Sequence, residues 1–195
     1  MYVLKTARDY SPDLWKRLGI IHERLESFLD RRGYDVAAIP ILESTELFLR
    51  KSGGELASQM YSFTDPSGHQ VSLRPELTSS VVRQFIDGNL SGAMPQRWQY
   101  YGTIFRYEAS ANGDGAGGAR EFQQLGAEII GASSEFADAE VLATAVQGLT
   151  TLGVTGHRLR VGHMGVVNAM LEALGLSERA RVFVVNSFDD LRLLL

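Results

Sequence analysis

Arg120, Gln124 and Glu128 recur at intervals of four in the segment REFQQLGAE. If that segment is extended, all three stand on one face, because side chains on a strand alternate with period 2. The preceding segment, IFRYE, likewise puts Arg106 and Glu108 on one face and Phe105 and Tyr107 on the other. The residue types define a chemistry. Arg106 is a planar, bidentate anion clamp, Gln124 both donates and accepts, and Glu128 accepts protons from an amine or an imidazole. Such a set can hold a phosphate and an amino acid. A second reading fits the same pattern: antiparallel sheets commonly turn one polar face to water, and the set is then a solvated surface. Leu125, Ala127 and Ile129 occupy the opposite, apolar face. Between the two strands, residues 109–119 form a glycine-rich loop. Its literal G-x-G-x-x-G, Gly113 to Gly118, is not a dinucleotide fingerprint, because EFQQLGAEII after it reads as strand and not as helix.

The elements that position this hairpin can be read along the chain. Ser11 and Pro12 open a helix on which Leu14, Leu18, Ile21, Leu25 and Phe28 form one stripe, ending near Gly33. Tyr34 to Leu42 reads as a strand whose Pro40 removes a ladder donor and marks an edge or interface. Leu47 to Arg50 extends a short helix that Ser52-Gly53-Gly54 breaks. Met60 to Phe63 and Gln70 to Leu73 flank the turn Asp65-Pro66-Ser67-Gly68 as a hairpin. Arg74-Pro75-Glu76 then leads into a helix opened by Thr78 or Ser79 and bearing Val81, Val82, Phe85 and Ile86. Glu76 and Thr78 therefore lie at a strand-to-helix junction, where Thr78 serves as a cap, a ligand contact, or both. Ser134 to Leu152 is a helix with Ala139, Leu142, Val146 and Leu149 on one face, closed by Gly153. Leu159 to Val161 reads as a short strand, Val166 to Leu174 as a helix stopped by Gly175, and Val182 to Val185 as a final strand. The chain stops inside the apolar run DDLRLLL, the pattern of a larger domain cut short.

With 195 residues, 45% hydrophobic and 22% charged, the chain has the composition of an ordinary globular domain with a sizeable core. Its net charge of −4 gives no overall basic footprint for nucleic acid, so any RNA contact is local. The absence of cysteine excludes disulfides and thiolate chemistry. No long apolar span suggests secretion or a membrane, and the expected location is cytoplasmic. His22, His69, His157 and His163 lack metal-ligand spacing, so no structural metal is expected.

The segments LRPELT (Leu73 to Thr78), FRYE and REFQQLGAE, in this order, resemble the histidine-binding segment and motif 2 of the histidyl-tRNA synthetase-like class II catalytic core. The helix ending at Gly33 and the Pro40 strand, about residues 11–42, resemble its motif 1, the dimer-forming element; motif 2 covers about residues 97–131. The resemblance spans nearly all 195 residues. It implies an α+β fold, an antiparallel sheet flanked by helices, forming the N-terminal part of such a core. It further implies a homodimer that binds histidine, with ATP and Mg²⁺ as substrate complex and no tightly bound cofactor. Carried over residue by residue, Arg106 holds the α-phosphate of ATP and is the catalytic cation. Glu108 lies near the adenine or the tRNA end, and Arg120 belongs to the ATP-binding set. Glu76, Thr78 and Gln124 take the substrate α-amino group, and Glu128 reads the imidazole.

Three departures set this chain apart. Leu77 stands where the family usually has Gly, Gly117-Gly118 replaces a Gly-Arg pair in the motif 2 loop, and that loop is long. Gly162-His163-Met164-Gly165 resembles a segment of a paralogue, the regulatory subunit of ATP phosphoribosyltransferase. The family's second histidine motif and motif 3 would follow residue 195. Two function classes share this fold: a ligase that activates histidine and charges tRNA, and a non-catalytic regulator acting on the ATP phosphoribosyltransferase catalytic subunit. The intact set Glu76, Thr78, Arg106, Gln124 and Glu128 favours the ligase.

Overall fold

A computed structural model of the chain describes residues 9–50, 57–88, 94–107 and 120–187. It divides into two compact units, residues 1–155 and 156–195. Glu108, the glycine-rich loop, the Ser52-Gly53-Gly54 breaker and the apolar terminus lie outside the described residues.

In the first unit, α1 (Pro12–Asp30) begins where the sequence places it: the Ser11 hydroxyl accepts from the Leu14 N–H at 3.2 Å. It ends ahead of Gly33, whose φ of +77° carries the chain out of the helix. Phe28 and Leu29 of α1, with Tyr34, form a buried cluster against Leu125, Ala127 and Ile129. That is the apolar face expected for the returning strand. The stripe is buried only at its C-terminal end, and Leu14 and Ile21 are exposed.

The expected Tyr34 to Leu42 strand is two short ones. Strand β1 (Asp35–Val36) pairs in parallel with β5 (Gln96–Phe105), whereas β2 (Leu42–Ser44) belongs to a second sheet. The ladder fails at Ile39 and Pro40, because Pro40 has no N–H to give and both carbonyls turn instead to the Arg74 guanidinium, at 2.8 and 3.2 Å. After α2 (Thr45–Leu49), strands β3 (Tyr61–Thr64) and β4 (Gln70–Leu73) form the expected hairpin, and the second sheet has the antiparallel order β2-β4-β3. Its turn is built by Asp65, whose carboxylate accepts from the N–H groups of Ser67 and His69, with Gly68 at φ +87°. Helix α3 (Thr78–Asp87) follows.

The long strands β5 and β6 (Glu121–Ile130) pair antiparallel over ten residues each, giving the first sheet the order β1-β5-β6. Helix α4 (Glu135–Thr151) is capped by Ser134 and followed by Gly153 at φ +80°. Of its expected face, Leu142 and Val146 are half-buried and Leu149 borders the cleft against α1. Gly148 is its buried residue, where a Cβ would sit 3.5 Å from Leu25 and 3.7 Å from Phe28, and Ala139 and Leu149 are exposed. The orientation matches a bidentate ion pair from Arg97 of β5 to Glu140, both contacts at 2.7 Å.

In the second unit, α5 (Met164–Ala173) is present as expected, with the His163 imidazole accepting from the Val166 N–H and Gly175 at φ +71° after it. Two expectations fail. Leu159 to Val161 has no ladder partner among the described residues. Val182 to Val185 lies in a helix, α6 (Glu178–Asn186), because Ser177 caps it by accepting from the Ala180 N–H, with Glu178 in the first turn. The cap and tertiary context outweigh the strand preference of the Val-Phe-Val-Val run. Among the described residues, no helix is long and apolar enough to cross a membrane.

Candidate functional site

The register of β5 and β6 places Trp98 opposite Glu128, Tyr100 opposite Gly126, and Gly102 opposite Gln124. These six residues share a face with Ile104, Phe122 and Ile130, and α3 lies over part of it. Leu77, just before α3, and Val81 within it are buried with Ala37, Tyr100 and Ile104, and Trp98, Phe122 and Ile130 pack against that cluster. The polar face is therefore not an open, solvated one. Gln124 and Glu128 are half-buried between apolar neighbours, and Gln124 Oε1 is shielded from solvent with no hydrogen-bond partner among the described residues. A buried acceptor left unmade costs on the order of 1–3 kcal/mol unless something outside the protein satisfies it.

Glu128 is held by a residue that the sequence pattern did not single out. The Tyr100 hydroxyl donates to Glu128 Oε1 at 2.9 Å and lies 3.2 Å from Thr78 Oγ1. Burial, helped by the charges of Glu128 and Glu76, pushes the Tyr100 phenol well above the usual tyrosine range, so it stays protonated. The signal available in the sequence was Gly126, a glycine in the interior of an otherwise well-formed strand, which marks a close approach by something bulky.

Thr78 is not the cap of α3. Leu77 is in the N-cap position, and the cap bonds come from Glu76, whose two carboxylate oxygens accept from the Ser79 N–H at 3.0 and 3.1 Å. A carboxylate near a helix N-terminus is favoured by the helix dipole as well. Thr78 is exposed and is tied to the site through Tyr100. Leu77, fully buried, fills core at the position where the sequence departs from its resemblance.

Arg106 follows β5. Its Nε donates to the Pro75 carbonyl at 2.8 Å and its guanidinium lies 5.5 Å from the Phe122 ring centroid. The LRPELT segment thus anchors Arg106, and Phe122 supports it. Arg120 precedes β6, pairs by its carbonyl with the Arg106 N–H, and lies over the Tyr107 ring at 4.8 Å. Its Nε is shielded from solvent without a hydrogen-bond partner among the described residues. Arg106, Arg120, Gln124 and Glu128 thus belong to one hairpin, with Glu76 and Thr78 at its side. Arg74 serves the scaffold instead. It is buried, donates to the carbonyls of Thr103, Ile39 and Pro40, and lies against Gly102. Behind β6, on the other face, α1 and α4 enclose an apolar cleft of about 240 Å³ lined by Leu25, Phe28, Leu125, Ala127, Thr144 and Gly148.

Comparison with known proteins gives the chain a family and a fold. The profile of the family described as histidyl-tRNA synthetase matches residues 6–190. The histidine–tRNA ligase of Methanocaldococcus jannaschii is 37% identical over 182 residues, which is 93% of this chain and 42% of that protein. That of Archaeoglobus fulgidus is 38% identical over 175 residues, 90% of this chain and 42% of the relative. Among solved structures, a Bacillus halodurans protein described as an ATP phosphoribosyltransferase regulatory subunit/histidyl-tRNA synthetase matches with a TM-score of 0.79 at 29% identity, covering 90% of this chain and 44% of that one. The chain spans less than half the length of these relatives.

Proposed function

Because the chain belongs to the histidyl-tRNA synthetase family and has the α+β fold of its class II core, we propose that the β5/β6 hairpin and the LRPELT segment bind histidine and ATP for histidine activation and transfer to tRNA. Glu128 accepts from the imidazole, while Thr78, Gln124 and Glu76 surround the α-ammonium. Arg106 and Arg120, together with Glu108, take the ATP, which enters as its Mg²⁺ complex. In the reaction the histidine carboxylate attacks the α-phosphorus and pyrophosphate leaves; the acyl group then passes from the adenylate to a tRNA hydroxyl, and AMP leaves. Arg106, anchored through Nε, is suited to stabilise charge developing on the phosphorus; this is electrostatic preorganisation and needs no protein nucleophile.

The observation that carries this reading is Gln124 Oε1, shielded and without a hydrogen-bond partner among the described residues, on the face that also bears Glu128. An ammonium donor would satisfy it. The test is calorimetric titration of histidine in the presence of a non-hydrolysable ATP analogue. Saturable binding is expected for histidine and not for leucine; equal, non-saturating heats for both amino acids would count against it.

A second reading is a regulatory subunit that binds histidine and acts on the ATP phosphoribosyltransferase catalytic subunit. The dual description of the Bacillus halodurans structure favours keeping it. Histidine-dependent ATP–pyrophosphate exchange separates the two, since the ligase supports it and the regulator does not. Either reading suits a cytoplasmic homodimer, and the exposed Leu14, Trp15, Ile20 and Ile21 of α1 with Val36 on edge strand β1 supply an apolar surface for the second subunit.

A further inference from the structure

We infer that Tyr100 is a positioning residue that fixes the direction of a hydrogen-bond chain, Thr78 to Tyr100 to Glu128, and so makes both ends of the amino-acid pocket acceptors. The inference rests on the histidine reading of the site and adds to it a rule for which ligands fit.

A phenol has one proton. An ionised carboxylate can only accept, so at a separation of 2.9 Å the Tyr100 proton lies toward Glu128 Oε1; the reverse arrangement would set a phenol lone pair against a carboxylate oxygen. The remaining contact, 3.2 Å between the hydroxyls of Tyr100 and Thr78, must then be donated by Thr78. That commits the only proton of Thr78 and leaves its oxygen facing a ligand as an acceptor. At the other end Glu128 Oε1 is held, and Oε2 is an acceptor as well. Histidine brings donors to both places, an ammonium at one end and a ring N–H at the other. An isostere whose ring offers only acceptors meets like against like at Glu128.

The chain is held in place by packing. Tyr100 is 5% exposed, and its ring fills the space over Gly126, where a Cβ would collide with it. Its phenol remains neutral because it is buried, so the proton on which the direction depends is not lost at physiological pH.

The test has two arms. In protein labelled with ¹³Cζ-tyrosine and free of histidine, the Tyr100 hydroxyl proton is expected as a slowly exchanging resonance that moves upfield in Glu128→Gln and persists in Thr78→Val. No such resonance in the wild type, or one indifferent to Glu128→Gln, overturns the chain. In the second arm, the affinities of histidine and of 2-thiazolylalanine, whose ring offers acceptors and no N–H, are measured for the wild type and Tyr100→Phe, which keeps the ring; thermal melts confirm that both are folded. Histidine affinity is expected to fall about tenfold. The preference for histidine over the analogue is expected to narrow in the variant, because Thr78 and Glu128 are no longer held as acceptors toward the ligand. An unchanged preference is what packing alone produces and overturns the positioning role. A wild type that shows the hydroxyl resonance but binds no histidine removes the histidine reading while the chain stands.

Discussion

Gly126 and Tyr100 face each other across the β5/β6 ladder so closely that a Cβ on Gly126 would lie 2.5 Å from Tyr100 Cε2. The backbone of Gly126 is not in the left-handed region, so the requirement is one of space and not of φ. Gly126→Ala is expected to push the ring off its bond to Glu128 and to destabilise the protein by about 1–3 kcal/mol, the usual range for overpacking. Differential scanning calorimetry reads this as a lower Tm, with weaker histidine binding in the same variant. A wild-type Tm would show that the ring yields without loss.

Arg74 offers a second test of the site's foundations. Its guanidinium spans three carbonyls, of Thr103, Ile39 and Pro40, and joins the crossover between the two sheets to β5. Burial lowers its pKa from the usual arginine value, opposed by the charge of Glu43, but leaves it a cation. Arg74→Lys keeps the charge and loses the fork, so at least one of these carbonyls loses its donor. A loss of about 2–4 kcal/mol in urea-induced unfolding is expected; a change under about 0.5 kcal/mol would mean that the lysine ammonium reaches all three.

Much of this arrangement is legible in the sequence because local signals and tertiary context agree. Ser11-Pro12, the Asp65 to Gly68 turn and the period-2 alternation around Arg106 and Glu128 each name an element, and each element forms. Where they disagree, the sequence misleads. Val182 to Val185 has strand propensity but sits behind a Ser177 cap. Tyr34 to Leu42 is β-rich and reads as one strand, yet its middle gives its carbonyls to an arginine far along the chain. Tyr100 was missed because its role arises from cross-strand register and from Thr78 on a separate element, neither of which a single window of sequence contains.

The Arg97–Glu140 pair gives a pH-dependent prediction. The Arg97 hydrogen bonds hold the Glu140 carboxyl below its usual pKa of 4.5. A depressed carboxylate contributes stability that is present above its unfolded pKa and is lost as pH falls through the folded one. Both side chains are about a third exposed, so the contribution is discounted to about 0.5–1 kcal/mol. Glu140→Gln is expected to lower stability by that amount at neutral pH, with the difference from the wild type shrinking once pH drops below about 4.5. A difference that stays constant into strong acid would assign the effect to packing of α4.

The proposed dimer is tested on α1. Ile21 is 42% exposed on a helix whose buried residues, Phe28 and Leu29, lie nearer its C-terminal end. Ile21→Glu leaves that packing alone and places a charge on the surface assigned to the second subunit. Sedimentation velocity at micromolar concentration is expected to show a dimer for the wild type and a monomer for the variant, with similar Tm values at low protein concentration. A monomeric wild type would remove this surface as the interface.

Glu128 carries the sharpest prediction, because two interactions meet on one carboxylate. Glu128→Gln replaces an ionised acceptor by a neutral group of nearly the same shape, and its amide oxygen can still accept from the Tyr100 hydroxyl that now reaches Oε1. Packing against Trp98 across the ladder is expected to survive, and so is the Tm. What is lost is the charge-assisted hydrogen bond to the imidazole, worth roughly 1.5–3 kcal/mol, so histidine affinity is expected to fall by about one to two orders of magnitude. The affinity for the ATP analogue is expected to stay within about twofold, since the proposed nucleotide contacts are Arg106 and Arg120. Calorimetric titrations of both ligands into the wild type and the variant separate the outcomes. Equal histidine affinities would return Glu128 to a purely structural role as the anchor of Tyr100, and parallel losses for both ligands would point to collapse of the hairpin face as a whole.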